Sequence, residues 1–191
     1  AVKLLDAIKA TGDCTLVFSK RIDVLNALCQ QRPGLLINHL TKVQKRQQLV
    51  MEFQKGLHSV FYMTTWIGGH GLNLFAANRV IILDPTWNPV HDCQACCRAY
   101  RFGQKKPVFI YRFIVSDSVE ERIYRLAVHK HLAACRVVDD KDVARLFTTD
   151  DLKQSVYTDE TKLTTTSDTV LNTVLKHFES CTSHDLLFAV E

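Results

Sequence analysis

Five short apolar runs set the pattern of this chain: Cys14–Phe18, Leu35–Ile37, Ser59–Met63, Val80–Leu83 and Val108–Val115. Between them apolar residues recur at helical spacing, so the order reads as repeated strand and helix. The runs are continuous rather than alternating, which predicts an α/β fold: a mostly parallel sheet covered by helices on both faces. Leu4, Leu5 and Ile8 mark an amphipathic helix ahead of the first strand. Helix starts are signalled at Thr41 with Gln44 and at Ser118 with Glu121, both with capping-box spacing. Asn88-Pro89 predicts an N-cap followed by proline at the first helical position.

The helix opened by Asn88 is expected to continue through the run 94–104. There Gln94, Arg98 and Arg101 stand at i, i+4 and i+7, within about 60° of one another on a helical wheel. Cys93, Cys96, Cys97 and Tyr100 gather on a separate face suited to packing. Two guanidiniums one turn apart repel, and the pairing makes sense around a multiply charged anion such as a nucleotide phosphate. The pair is expected near the C-terminal edge of the sheet, where α/β folds bind ligands. Upstream, Gly68, Gly69 and Gly71 let backbone approach closely, and Asn73 suits a tight polar turn.

Composition narrows the classes. The chain has 191 residues, 47% of them hydrophobic, and lacks an apolar run long enough to span a bilayer, so no membrane partner is expected. The net charge of +4 is mild, but Arg98, Arg101, Lys105, Lys106 and Arg112 follow one another without an intervening carboxylate. Lys42, Lys45 and Arg46 form a second basic group, and such patches neutralise nucleic-acid phosphates. Seven cysteines, an odd number, argue for a reducing compartment, cytosol or nucleus. Cys93, Cys96 and Cys97 lack a second ligand pair at finger-like spacing, and His129 and His131 read as solvated, so no metal site is expected. No phosphate-binding G-x-x-x-x-G-K-[ST] string occurs, nor an Asp-Glu pair closing an apolar strand. Ala1 begins inside a helix with no initiator methionine or secretion signal, so the chain reads as an excised fragment.

Three stretches carry a family resemblance. Thr64-Thr65-Trp66-Ile67-Gly68-Gly69-His70-Gly71-Leu72-Asn73-Leu74 and the run from Gln94 to Gln104 resemble motifs V and VI of the SWI/SNF-type ATPases, DNA translocases and chromatin remodellers of helicase superfamily two. Between them, Ala77 to Pro89, with Asp84-Pro85-Thr86-Trp87-Asn88-Pro89, follows the same pattern. Thr15–Ser19 resembles motif IV, and Arg46 to Phe53 the helix after the next strand. Cys135–Asp139, Phe147–Leu152 and Tyr100–Gln104 favour the ATRX-like subgroup. Coverage extends over nearly the whole chain, but only of the C-terminal motor lobe.

That resemblance implies a RecA-like lobe over 1–138 and a post-motor extension over 139–191, with a Thr/Ser-rich linker and a short helical appendage. It implies Arg98 and Arg101 as catalytic arginine fingers, and Gln94, Gly69, Gly71 and Asn73 as nucleotide-binding. Trp87, Asn88, Thr64, Thr65, Lys105, Lys106 and Arg46 are the implied DNA contacts. ATP and Mg2+ are expected to be held mainly by an N-terminal RecA-like lobe in cis. Double-stranded DNA or nucleosomes are the expected partners, and the nucleus the expected location. The isolated chain is expected to be inactive. Two positions depart from the family pattern: Trp66 stands where a basic residue is usual, and Asn38-His39 where an Asp-Gly pair is usual. They motivate a rival expectation, a non-catalytic nucleic-acid or protein-binding module with the same fold.

Overall fold

The computed structural model describes residues 1–68 and 71–138, with 131–138 as backbone alone. Strands β1 (Thr15–Ser19), β2 (Leu35–Ile37), β3 (Val60–Thr64), β4 (Arg79–Ile82) and β5 (Phe109–Arg112) form one sheet in the order β2-β3-β1-β4-β5. Every pairing is parallel. Helices α1 (Val2–Ala10) and α2 (Ile22–Gln31) precede and follow β1. The rest are α3 (Val43–Gln54), α4 (Thr65–Gly68), α5 (Pro89–Cys96) and α6 (Val119–Val138).

Successive strand side chains point to opposite faces, and both faces are covered. Val17, Tyr62 and Ile81 pack with Leu4, Leu5 and Ile8 of α1 and Leu25 and Leu28 of α2. Leu16, Phe18, Phe61, Met63 and Ile82 pack with Phe53 of α3, Ile67 of α4, and Ala95 and Cys96 of α5. β1 and β3 are buried at every position, which is why their sequence is continuously apolar. Burial pushes the Tyr62 hydroxyl up to about 12, and it donates to the Arg32 carbonyl at 2.8 Å.

The expected runs became strands with shifted ends. β1 starts at Thr15, one residue after the expected Cys14, whose carbonyl accepts from the Asn78 and Arg79 backbone N–H groups at 3.2 Å as the pairing with β4 begins. β5 is shorter than Val108–Val115 because it is an edge strand whose partner, β4, ends at Ile82. Its burial alternates, as expected of an edge.

The cap at Asn88 is as expected, its Oδ1 accepting from Val90 N at 3.1 Å. The box at Thr41 is not formed. α3 opens at Lys42 without a side-chain cap, because Thr41 Oγ1 donates to Asn38 Oδ1 at 3.0 Å, inside its own loop. At α6, Ser118 Oγ accepts from Glu120 N, but Glu121 reaches one residue further than a capping box and accepts from Asp117 N.

At the N-terminal edge of the sheet Asp13 meets Arg79 at 2.7 Å and Lys106 at 2.9 Å. The Arg79 guanidinium lies 4.1 Å from the centre of the Phe109 ring and donates to the Tyr111 hydroxyl at 2.8 Å. Burial alone raises the Asp13 pKa, but hydrogen bonds from Lys106, Arg79 and Asn78 overcome it and bring the carboxyl down to about 2. Among the described residues no helix is long and apolar enough to cross a membrane.

Candidate functional site

The chain leaving β3 turns at once into α4 and then returns to the start of β4. Gly69 and His70 lie outside the described residues. Residues 71–78 run over the α3–α5 face and bury Leu74 and Ala77 in its core. Gly71 is exposed at φ +71, a left-handed conformation costly for any residue with a Cβ. Asn73 is exposed, and its carbonyl accepts from Gln54 Nε2 at 2.7 Å.

α5 meets this segment, but not as a continuous helix through 104. It ends at Cys96, where i→i−3 bonds from Arg98 N to Ala95 O and from Ala99 N to Cys96 O tighten the last turn. The expected stripe therefore breaks. Gln94 stays on the helix, exposed, whereas Arg98 and Arg101 lie beyond its end. The helix starts at the C-terminal edge and runs back, so the arginines sit against residues 71–74 rather than at that edge. The expected packing face is also only partly real: Cys96 is buried, while Cys97 and Tyr100 are exposed.

The two arginines bracket the returning segment. The Arg98 carbonyl accepts from Leu74 N at 3.1 Å, and Arg101 Nη1 donates to the Gly71 carbonyl at 3.1 Å. Arg98 is 9% exposed, and its Nε donates to the Gln94 carbonyl at 3.1 Å. Burial first, and the Arg101 charge second, lower its pKa from the ordinary value. No carboxylate forms an ion pair with either arginine among the described residues. Each guanidinium carries five donors in a rigid fork, more than these contacts use, which suits an anion.

Gln104 was not singled out from the sequence, yet it fastens this arrangement. Its Nε2 reaches the carbonyls of Phe75 at 2.9 Å and Ala77 at 2.7 Å, and its Oε1 accepts from Lys106 N at 2.9 Å. Its place three residues after Arg101 was the available signal.

A second cluster stands at the C-terminal edge, where β1 feeds α2 on one face and β4 feeds α5 on the other. Asp84 joins the two strand ends, accepting from Lys20 N at 2.8 Å and Ser19 Oγ at 3.3 Å. Thr86 donates to the buried Asp92 at 2.7 Å. Burial raises the Asp92 pKa, and the Thr86 hydrogen bond opposes the rise. In the sequence Asp84 lies in a family-like run without an assigned role, and Asp92 is not singled out, since nothing local shows their partners Lys20 and Thr86. They hold the loop that presents Trp87 outward, 55% exposed, with its carbonyl accepting from Lys130 Nζ at 3.2 Å.

The expected DNA contacts do not form one surface. Trp87 and Asn88 share the loop at the C-terminal edge, although Asn88 spends its side-chain oxygen on the helix cap. Thr64 and Thr65 are buried at 6%, and Thr65 Oγ1 has no hydrogen-bond partner among the described residues. Arg46 is turned onto the carbonyls of Thr41 at 2.7 Å and His39 at 3.1 Å, because the loop before α3 leaves them unpaired. Lys105 and Lys106 belong to the opposite edge, where Lys106 is drawn to Asp13. No group of metal-binding side chains occurs among the described residues. The extension over 139–191 lies outside them.

Residues 1–103 match the family described as the helicase conserved C-terminal domain. The DNA repair and recombination protein RAD54 of Saccharomyces cerevisiae is 35% identical over 87% of this chain, which spans 20% of that protein. An SNF2 domain-containing protein, ENL1 of Oryza sativa, is 36% identical over 80% of the chain and 16% of its own length. The crystal structure of the C-terminal part of the Fun30 ATPase domain superposes with a TM-score of 0.59 at 37% identity, covering 63% of this chain and 41% of that one. The parallel five-stranded sheet is RecA-like, and the chain belongs to the helicase conserved C-terminal domain family as a lobe of the SWI/SNF type.

Proposed function

We propose that this chain is the C-terminal motor lobe of an ATP-dependent translocase on double-stranded DNA or nucleosomes, acting in the nucleus. The observation that carries this reading is that residues 71–74 are held by the Arg98 backbone carbonyl and the Arg101 guanidinium, and that neither arginine has a carboxylate partner among the described residues. An N-terminal RecA-like lobe in cis would hold ATP and Mg2+, the ATP supplying the phosphoryl group and the metal neutralising phosphate charge. Arg98 and Arg101 meet the negative charge that builds as that group leaves, a contribution of about 10³–10⁵ in rate in other phosphoryl-transfer enzymes. Gln94, Gly69, Gly71 and Asn73 are the residues assigned to nucleotide binding. Because Arg101 rests on the Gly71 carbonyl, a shift of residues 71–74 moves a finger. Trp87 tracks DNA. Similarity to the DNA repair and recombination protein RAD54 and to the Fun30 ATPase domain supports the same reading.

The test compares the isolated chain with the full-length protein. The chain alone should show negligible ATP turnover and weak, salt-sensitive DNA binding, while the full-length protein turns over ATP and is stimulated by duplex DNA. Robust DNA-stimulated turnover by the isolated chain would overturn the assignment of half a site. A second reading, a binding module that has lost motor function, is favoured by the uncharged Trp66 and by an Asn38 side chain spent inside its own loop. It requires that the full-length protein lack ATPase activity.

A further inference from the structure

Trp66 on α4 is 71% exposed, and its ring centroid stands 5.4 Å from that of His91 on the first turn of α5, the planes tilted by 46°. Trp87 and Val90, 55% and 52% exposed, belong to the chain on either side of the same cap. His91 thus links Trp66 of α4 to the first turn of α5, where Trp87 and Val90 are also exposed, and clustered large side chains of this kind differ from scattered surface ones.

Two cations lie against the loop that leads into α5. Lys20 Nζ reaches the Pro85 carbonyl and Lys130 Nζ the Trp87 carbonyl, which puts two ammonium groups against this loop. The loop's carboxylates face inward: Asp84 is bound by Lys20 N and Ser19, and Asp92 is 5% exposed and bound by Thr86. Exposed aromatic rings next to a loop that carries two cations fit a nucleic acid better than an acidic or apolar protein surface. An indole cannot neutralise a phosphate, but it can stack on a base. Bases inside a duplex are already stacked, so the fitting ligand is an unpaired nucleotide.

We infer that Trp66 and His91 form a stacking platform for an unpaired nucleotide, giving the full-length protein a preference for DNA whose duplex is locally opened. This rests on the DNA-motor reading above. It makes Trp66 a specificity residue rather than a defect in a phosphate-binding row.

Anisotropy titrations of the full-length protein against a duplex, and against the same duplex with a central unpaired bubble, test it. Trp66→Ala should weaken bubble binding about tenfold and change duplex binding less than about twofold, with an unchanged melting temperature. Trp66→Phe should keep most of the preference. Trp66→Lys should lose it and steepen the salt dependence on duplex by about one unit of slope. Equal losses on both DNAs, or no loss on either, would overturn the platform while leaving the motor reading standing. Loss of histone-peptide binding with both DNA affinities intact would overturn it in favour of a protein partner. Failure of the unaltered protein to bind either DNA would overturn the motor reading and the platform with it.

Discussion

Arg101 Nη1 donates to the carbonyl of Gly71 at 3.1 Å, and Gly71 holds that carbonyl in place from a left-handed φ of +71. A residue in the run after α5 is thereby fixed to the segment leaving α4, thirty positions earlier in the chain.

Gly71→Ala tests that link. A Cβ built there meets nothing within 4 Å, so the cost is backbone conformation alone, about 1 kcal/mol. Gly56, in the turn after α3, has φ +75 and equally open surroundings, and among the described residues its carbonyl receives no bond from either arginine. Both alanine variants of the full-length protein should melt slightly lower, but Gly71→Ala alone should slow DNA-stimulated ATP turnover, by several-fold. Equal turnover in the two variants would dissociate Gly71 from the arginine.

Gln104→Leu removes the donor shared by the Phe75 and Ala77 carbonyls. Water can replace the donor at the exposed Phe75 carbonyl, but leaving the part-buried Ala77 carbonyl unsatisfied costs about 1 kcal/mol, which lowers the melting temperature by a few degrees. Calorimetry on the isolated chain checks it, an unchanged transition being the contrary result.

Asp13 predicts an acid dependence. Its carboxyl falls from 3.8 to about 2 on folding, a depressed value, so its contribution is fully present above 3.8 and is lost as pH falls through about 2. The shift corresponds to about 2 kcal/mol. Asp13→Asn should therefore destabilise strongly at neutral pH and show a flatter stability profile between pH 4 and pH 2 than the parent. Parallel profiles would remove Asp13 from the acid response.

Trp87→Ala addresses tracking. A buried tryptophan costs about 3–5 kcal/mol on truncation, but Trp87 is 55% exposed and should cost little. Melting temperature and basal ATPase should hold while DNA stimulation falls. A large drop in melting temperature with unchanged stimulation per folded molecule would make it a structural anchor.

Much of the fold was legible because buried parallel strands leave continuous apolar runs, and all five were found within a few residues of their ends. The arginines were legible as a pair, but their setting was not. Spacing on a wheel assumes a continuous helix, whereas α5 stops at Cys96 and the chain tightens into short-range bonds. Likewise Thr41 has the composition of a cap, but Asn38 competes successfully for its hydroxyl. Arg46 and Lys106 read as free cations, since nothing in their own segments shows the carbonyls of His39 and Thr41 or the distant Asp13 that claim them. Local pattern carried the elements; partners brought by tertiary contact decided which side chains remain available.

The most direct measurement is DNA-stimulated ATP turnover of the full-length protein carrying Arg98→Ala or Arg101→Ala, with nucleotide affinity and melting temperature taken on the same preparations. Transition-state charge is what these residues are assigned to meet, so turnover should fall by about three orders of magnitude while nucleotide affinity changes little. The exposed Arg101 should leave stability intact, whereas Arg98, 9% exposed, should cost some. If both variants keep turnover within about twofold of the parent, neither arginine meets transition-state charge and the motor-lobe account of this site is wrong.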